Sequence, residues 1–211
     1  MSNLSKYKVV LFDLDGTLLD TSEGIFNSVR YAENKLNLEP LPEEKLKKFI
    51  GPPPVASYMS IHGLSKEKAQ EATAFHRKYG FEHGAYEAKV YDGIPHLLTT
   101  LRAKGVLLGV CTLKRQDIAE KVLHYFGLLK FFDVVVGIDK GESLSKADTI
   151  NLALEKLNYY NKSDVILIGD SLYDAEGAQQ AEVDFVGVSY GFGLDKKENY
   201  PFEVVDVLKV E

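Results

Sequence analysis

The sequence of 211 residues predicts an α/β fold in which a doubly wound parallel sheet carries an inserted α-helical subdomain. Short runs rich in Val, Ile and Leu recur along the chain, as in parallel strands that are buried on both faces. Segments with helical spacing separate most of these runs. One long helical stretch follows the first run directly, which indicates an insertion into the sheet domain.

Five apolar runs are predicted to be the strands of the sheet. Their β-branched residues favour extended structure, and their nearly continuous apolar character indicates burial on both faces. The predicted strands are residues 8–13, 106–112, 133–138, 164–169 and 185–188.

Four segments with helical spacing precede or separate the later strands. In one of them Ile118, Val122 and Phe126 share a face, and Gly127 is placed to end the helix. In another, Ser145 is the predicted N-cap. The alternation of strands and helices indicates a doubly wound, Rossmann-like sheet. The predicted helices are residues 95–103, 115–126, 145–157 and 172–181.

Residues 20–88 carry helical patterns and no convincing strand. Gly51 and the three prolines after it must interrupt these helices, because proline restricts both itself and its predecessor. We expect a core domain of residues 1–19 and 89–211, and a helical cap of residues 20–88. The helices predicted in the cap are residues 22–36, 42–50, 55–61 and 65–79.

The composition argues against several classes of function. A formal net charge of −6 without a long basic run disfavours binding to nucleic acid or to an anionic membrane. No apolar stretch reaches the ~18 residues that a membrane span requires. The single cysteine, Cys111, cannot form an internal disulfide, and the N-terminus lacks an apolar leader. We therefore expect a cytoplasmic protein, and no protein partner is evident.

The segment Asp13-Leu14-Asp15-Gly16-Thr17 directly follows the first predicted strand and is the strongest candidate for a functional site. Two carboxylates one residue apart point the same way if the strand continues through them. Carboxylates near a core lose hydration, so they require a cation, a proton or hydrogen-bond donors. The alternative is an ordinary Asp-Gly turn at the end of a strand.

Three more polar sites follow later strands. Thr112 ends the second predicted strand, and Lys146 opens a helix after the loop of residues 141–144. Asp170 ends the fourth predicted strand, and Asp174 lies in the first turn of the next helix. Each also has an ordinary interpretation, as a cap, a solvated lysine or an acid at a helix N-terminus. Because the carboxyl ends of parallel strands meet at one edge, we expect these side chains in one site.

Together these residues suit phosphoryl transfer. Mg²⁺ prefers hard oxygen ligands and is often held by a few carboxylates plus a substrate phosphate. Asp13 and Asp170 can supply the carboxylates, and the main-chain carbonyl of Asp15 can supply a further oxygen. Lys146 and the metal would neutralise the transferring group, while Thr112 would hold its remaining oxygens.

With these four motifs in this order, the chain resembles the haloacid-dehalogenase-superfamily phosphatases that carry a helical cap. The resemblance covers nearly the whole length. It implies that Asp13 is the nucleophile and forms an aspartyl-phosphate. It also implies that Asp15 is first the general acid and then the general base. The implied cofactor is Mg²⁺, and the implied partner is a small-molecule phosphate ester.

The resemblance implies supporting roles as well. Thr112 matches the phosphate-binding Ser/Thr of the family, Lys146 its motif-three lysine, and Thr17 the position that supports the first motif. Asp170 matches a metal ligand, and Asp174 the acid that orients the metal's waters and the lysine. The expected metal set is Asp13, Asp15, Asp170 and Asp174.

The closer likeness is to the phosphoglycolate-phosphatase-like branch, through the sequence YDGIP at residues 91–95. Leu113 stands where many relatives have Asn, so one contact near the phosphate is expected to be missing. Lys114 is placed to add positive potential beside the phosphate. We expect Thr17, Leu113 and Lys114 close to the substrate, and Gly51 in a cap turn that reaches it. A simple helix breaker is the alternative for Gly51.

Three other functions use the same scaffold. A dehalogenase needs no second acid in the first motif, so Asp15 argues against it. A phosphosugar mutase of the beta-phosphoglucomutase kind uses both acids; Thr17, where those mutases tend to carry Val, favours a phosphatase. A non-catalytic phospho-ligand binding protein would be expected to lose Asp13, Asp15, Lys146 or Asp170, and all four are present. The sequence predicts a phosphomonoesterase, with phosphoglycolate, nucleoside monophosphates and sugar phosphates all open as substrates.

Overall fold

The computed structural model describes residues 4–139 and 143–208, in which β-strands and α-helices follow one another along the chain. The strands are β1 Val9–Phe12, β2 Leu19–Asp20, β3 Lys89–Val90, β4 Leu107–Arg115, β5 Val134–Ile138, β6 Val165–Gly169, β7 Asp184–Val188 and β8 Glu203–Val205. The α-helices are α1 Ser22–Leu36, α2 Glu43–Leu46, α3 Pro54–Ile61, α4 Lys66–Glu82, α5 Ile94–Ala103, α6 Gln116–Tyr125, α7 Lys146–Lys156 and α8 Leu172–Ala181.

Six strands form one parallel sheet in the order β5-β4-β1-β6-β7-β8. β1 lies in the middle, where Val9 is opposite both Leu107 of β4 and Val165 of β6. The strand order reverses at β1, so the sheet is doubly wound and has a switch point there. This confirms the α/β prediction and brings the carboxyl ends of β1, β4 and β6 together.

The core of this sheet is apolar on both faces of β1. Val9 and Leu11 pack in a buried cluster with residues of α7 and α8, while Val10 and Phe12 are also fully buried. The alternation of side chains across a strand produces these two layers. The central strand is therefore a rigid base for the residue that follows it, Asp13.

The chain divides into two compact units, Met1–Leu19 with Val90–Glu211, and Asp20–Lys89. The second unit is helical and has its own buried cluster, in which Tyr58 and Phe49 meet edge to face at 4.9 Å between ring centroids. The short strands β2 and β3 pair where the chain passes from one unit to the other. In the part of the chain that the structure describes, no helix is long and apolar enough to cross a membrane.

Several boundaries differ from the sequence prediction. The second predicted strand continues to Arg115 instead of ending at residue 112, and the strand Glu203–Val205 was not predicted. The helix predicted at 42–50 is shorter, because Lys47–Phe49 is a 3₁₀ turn. The predicted loop 141–144 lies partly outside the described residues.

Candidate active site

The first acidic motif forms a tight turn at the carboxyl end of β1. The Asp13 N–H donates to the carbonyl of Ile168 at 2.9 Å, which extends the ladder between β1 and β6 by one residue. The chain then turns back, and the Gly16 N–H donates to the carbonyl of Leu19 at 2.8 Å. Gly16 has a φ of 83°, and a Cβ there would lie 2.2 Å from Asp170 Oδ2. Only glycine fits this conformation and this approach.

Lys146 joins three elements through its buried ammonium group. Nζ donates to Asp13 Oδ1 at 2.5 Å and to the carbonyl of Cys111 at 2.8 Å, and lies 2.7 Å from Asp174 Oδ1. An ammonium group has three hydrogens, so each has an acceptor. A capping box at Ser145 fixes the start of α7 directly before Lys146. The carboxylates offset the unfavourable position of a lysine at a helix N-terminus.

Asp174 uses its two carboxylate oxygens for different partners. Oδ2 accepts from the N–H and the hydroxyl of Ser171 at 3.1 and 2.6 Å, which closes a capping box at the start of α8. Oδ1 faces Lys146. Gly169 makes this approach possible, because a Cβ there would lie 2.5 Å from Asp174 Cβ. The helix cap therefore holds the carboxylate that contacts the lysine.

Asp170 is held by a loop that the sequence analysis did not single out. We call residues 189–193, which follow β7, the clamp loop. Asp170 Oδ2 accepts the N–H of Phe192 at 2.7 Å. A Cβ at Gly191 would lie 2.4 Å from both Asp170 Cβ and the carbonyl oxygen of Gly16. The Tyr190 hydroxyl donates to the carbonyl of Thr17 at 2.9 Å.

The clamp loop therefore contacts both the first acidic motif and Asp170. A signal for it exists in the sequence, because Gly191 and Gly193 follow a predicted strand at the edge where the other motifs lie. Glycine at a strand end is typical of a close backbone approach. The loop contributes main-chain and hydroxyl donors. The spacing of acidic residues in the sequence gives no information about such donors.

Three buried carboxylates form a cluster suited to a cation. Asp13, Asp170 and Asp174 offer oxygens that lie within 4.8 Å of one another. Burial raises the pKa of Asp13 to about 8; Lys146 opposes this shift, and the neighbouring acids add to it. Burial also raises the pKa of Asp170 to about 7, and the hydrogen bond from the Phe192 N–H partly opposes this shift. Burial alone would lower the pKa of Lys146, but Asp13 and Asp174 raise it above its ordinary range.

Residues 112–114 form a bulge near the end of β4. β4 pairs with β5 through Cys111 and again through Arg115, and only Gly137 lies between their partners on β5. Three residues of β4 thus correspond to a single residue of β5. Bulges of this kind redirect side chains at the ends of strands, and they are common beside active sites.

The bulge connects Thr112 and Lys114 to the first motif. Thr112 is buried, and its Oγ1 accepts the N–H of Lys114 at 3.1 Å. The hydroxyl hydrogen of Thr112 is then free to donate elsewhere. Lys114 Nζ lies 3.0 Å from Asp15 Oδ1. The Asp15 side chain is thus paired with Lys114 and is not part of the three-carboxylate cluster, so any metal contact of Asp15 would come from its main-chain carbonyl.

Of the remaining predicted substrate residues, Thr17 and Leu113 lie in the sheet unit and Gly51 in the helical unit. Thr17 is fully buried, and its Oγ1 has no hydrogen-bond partner within residues 4–139 and 143–208. Leu113 is half-buried in the bulge. Gly51 belongs to the helical unit, is exposed and has a φ of 99°. That the turn at Gly51 reaches the substrate stays a prediction.

Known proteins and solved structures are similar to this chain over most of its length. A family model described as haloacid dehalogenase-like hydrolase matches residues 10–188. A 5'-nucleotidase of Pseudomonas aeruginosa is 35% identical over 191 residues, covering 90% of this chain and 86% of that protein. The tyrosine-protein kinase PtkA of Mycobacterium tuberculosis is 36% identical over 187 residues, covering 88% of this chain and 63% of that protein. A crystal structure of a predicted phosphatase from Clostridium acetobutylicum has a TM-score of 0.82 at 41% identity, covering 89% of this chain and 87% of that chain.

Proposed function

The chain belongs to the haloacid dehalogenase-like hydrolase family, and from its site we propose a Mg²⁺-dependent phosphatase that hydrolyses a small phosphomonoester through an aspartyl-phosphate at Asp13. The observation that carries the proposal is the ammonium group of Lys146 between Asp13 and Asp174, in a cluster completed by Asp170. A carboxylate nucleophile repels the anionic phosphoryl group that it must attack. Nearby cations are needed to offset this repulsion.

The donor set fits Mg²⁺. When the three buried carboxyl groups are ionised, the single ammonium group leaves two of their negative charges without a cation among the described residues of the cluster. A divalent ion with hard oxygen preference would balance them. We assign it to Asp13, Asp170 and the main-chain carbonyl of Asp15, with Asp174 orienting its waters. When bound, the ion would stabilise negative charge on the transferring phosphoryl oxygens.

In the first step a carboxylate oxygen of Asp13 attacks phosphorus, and the bond between phosphorus and the alcohol oxygen breaks. The alcohol oxygen takes a proton from Asp15. The Thr112 hydroxyl, oriented by the N–H of Lys114, donates to a phosphoryl oxygen, and Lys146 balances the charge that gathers around Asp13. The product is an aspartyl-phosphate and a free alcohol.

In the second step Asp15 takes a proton from water, and the water oxygen attacks phosphorus. The bond between phosphorus and the Asp13 oxygen breaks, which releases inorganic phosphate and restores the carboxylate. Lys114 lies 3.0 Å from Asp15 and keeps that side chain beside the bulge in both steps. Asp13 is thus the nucleophile, and Asp15 is first the general acid and then the general base.

We assign the choice of substrate to the helical unit, acting as a cap of residues 20–88. In this proposal the polar groups of the sheet unit bind only the phosphate and the metal. They therefore do not distinguish phosphoglycolate from nucleoside monophosphates or sugar phosphates. The turn at Gly51 is the proposed part of the cap that contacts the organic group. Thr17 and Leu113 are proposed to line the phosphate end.

The test is phosphate release from phosphoglycolate, a nucleoside 5'-monophosphate, a sugar phosphate, pyrophosphate and p-nitrophenyl phosphate, with Mg²⁺ or with a chelator. We expect turnover only with the metal, and none in Asp13→Asn. Glu182→Gln is the control, because Glu182 pairs with Lys162 on the surface. Folded wild-type protein that binds Mg²⁺ but hydrolyses none of these esters would overturn the proposal.

The similarity to PtkA supports a second candidate, in which the phosphoryl group on Asp13 passes to a tyrosine hydroxyl instead of water. The same nucleophile and the same acid–base residue would serve both reactions. Incubation with γ-labelled ATP and a tyrosine-containing peptide separates the two. Labelled peptide would favour the transferase, and labelled free phosphate alone would favour the hydrolase.

A further inference from the structure

Gln116 binds the edge of β5 with its side chain. It is the first residue of α6 and is half-buried. Its Nε2 donates to the carbonyl of Val135 at 3.1 Å, and its Oε1 accepts the N–H of Gly137 at 2.6 Å. One side chain therefore serves two main-chain groups, one on either side of Val136.

This pair of contacts imitates a neighbouring strand. The carbonyl before a strand residue and the N–H after it point to the same side, where a paired strand would offer its own N–H and carbonyl. The planar amide of glutamine carries one donor group and one acceptor in a similar arrangement. Gln116 thus attaches the chain to β5 beside the residue at which β4 departs from regular pairing.

Gly137 brings the same segment close to β5 by a second route. A Cβ at Gly137 would lie 2.5 Å from the carbonyl oxygen of Lys114 and 2.7 Å from the main-chain nitrogen of Gln116. Real Cβ atoms do not approach so closely, so the main chain of residues 114–116 lies against Gly137 because glycine stands there. The close approach and the amide contacts meet at one residue of β5.

From these contacts we propose that Gln116 is a positioning residue for the phosphate-binding bulge. It does not itself touch the substrate. It fixes the C-terminal end of the segment 112–116, which contains Thr112, with its oriented hydroxyl, and Lys114, which pairs with Asp15. The inference rests on the proposed function in one respect, namely that Thr112 binds the phosphoryl group.

The test compares wild type with Gln116→Met, which has similar volume and can make neither contact. Two readouts are measured: hydrogen exchange of the amides of residues 112–116, and the inhibition constant of inorganic phosphate. We expect faster exchange and a roughly tenfold weaker affinity for phosphate, which corresponds to 1.4 kcal/mol. KM for p-nitrophenyl phosphate should rise together with the inhibition constant of phosphate, and kcat should change less.

Two control variants separate the contacts to β5 from general effects. Glu120→Ala removes the other partner of the Gln116 amide, on the exposed side of α6. Gln180→Met makes the same substitution at an exposed position of α8. Both are expected to keep wild-type phosphate affinity and exchange in the bulge.

A purely structural role would lower the melting temperature of Gln116→Met while leaving phosphate affinity and bulge exchange at wild-type values, and that result would overturn the proposal. Failure of the proposed function gives a different result, because the wild-type protein would then neither hydrolyse esters nor bind phosphate. In that case faster bulge exchange in Gln116→Met supports the positioning role, and unchanged exchange overturns it.

Discussion

At the scale of single residues, Lys146 is a buried cation with three close acceptors. Its three acceptors are Asp13, which follows β1, Cys111 in β4 and Asp174 in α8, and its side chain is 5% exposed. Because desolvated charges interact strongly, removing one partner of such a group leaves the others buried without compensation. The lysine therefore contributes to the fold as well as to the proposed chemistry.

Lys146→Met should lower the free energy of unfolding of the metal-free protein by about 3–5 kcal/mol, the cost of breaking a buried ion pair from one side. Urea unfolding in chelator measures this. Lys162→Met is the matched control, since Lys162 contacts Glu182 at 3.4 Å on the surface. Its effect should stay within about 1 kcal/mol. Equal effects of the two variants would contradict the burial argument.

Asp15→Asn should trap the proposed intermediate. The first step needs little acid assistance when the leaving group is p-nitrophenolate, whereas hydrolysis of the aspartyl-phosphate still needs a base. We therefore expect intact mass spectrometry to find a phosphorylated protein after mixing with p-nitrophenyl phosphate and Mg²⁺. Asp13→Asn,Asp15→Asn is the control and should carry no phosphate. An unmodified Asp15→Asn protein that still releases p-nitrophenol steadily would exclude Asp15 as the base.

At the scale of elements, the clamp loop packs closely against Asp170 and the first acidic motif. A Cβ at Gly191 would meet Asp170 and the main chain of Gly16, and neither is the far end of a flexible side chain. Gly191→Ala should therefore destabilise the protein by about 1–3 kcal/mol, as overpacking does. It should also weaken Mg²⁺ binding, because Asp170 must shift.

Calorimetric titration of Mg²⁺ together with thermal unfolding checks this prediction. Gly80→Ala is the control: its Cβ would make only an ordinary contact, 3.5 Å from Ser28 Oγ, inside α4. Alanine is the better helix former by about 0.5–1 kcal/mol, so this variant should be slightly more stable. Wild-type Mg²⁺ affinity in Gly191→Ala would show that the loop is not needed to place Asp170.

The sequence predicted most elements of the sheet because buried parallel strands have a strong local signature. It also predicted Ser145 as the N-cap of α7, since that interaction is local. The bulge in β4 could not be predicted, because its register depends on β5, more than twenty residues away. The clamp loop was missed for the same reason: the contact of Phe192 with Asp170 joins residues that follow two different strands. It also involves a main-chain N–H, which any residue except proline provides.

At the scale of the whole molecule, each of the two units has its own apolar core. The carboxylate cluster lies entirely in the sheet unit, on residues that follow β1 and β6. The stability of that unit should therefore be linked to metal and to protons. A ligand that binds only the folded state stabilises it by about 2.7 kcal/mol at a hundred times its dissociation constant.

The pH dependence of the metal-free protein follows from the raised pKa values of Asp13 and Asp170. A carboxyl group whose pKa is higher in the folded than in the unfolded state holds its proton longer when folded, so stability falls as pH rises between the two values. Wild-type protein in chelator should lose stability between about pH 4 and about pH 8. The Asp170→Asn variant has no ionisable group at position 170, so it should lose less stability over this pH range.

Mg²⁺ should reverse this trend, because it binds the ionised carboxylates and displaces their protons. We expect its affinity to increase from about pH 6 to about pH 8, with proton release that calorimetry detects in buffers of different ionisation enthalpy. Asp170→Asn should lose most of the stabilisation by Mg²⁺ while being the more stable protein without it at the upper end of this range. A wild-type protein whose metal-free stability rises over the same pH range, in parallel with Asp170→Asn, would show that these carboxylates are not the groups that link folding to the metal.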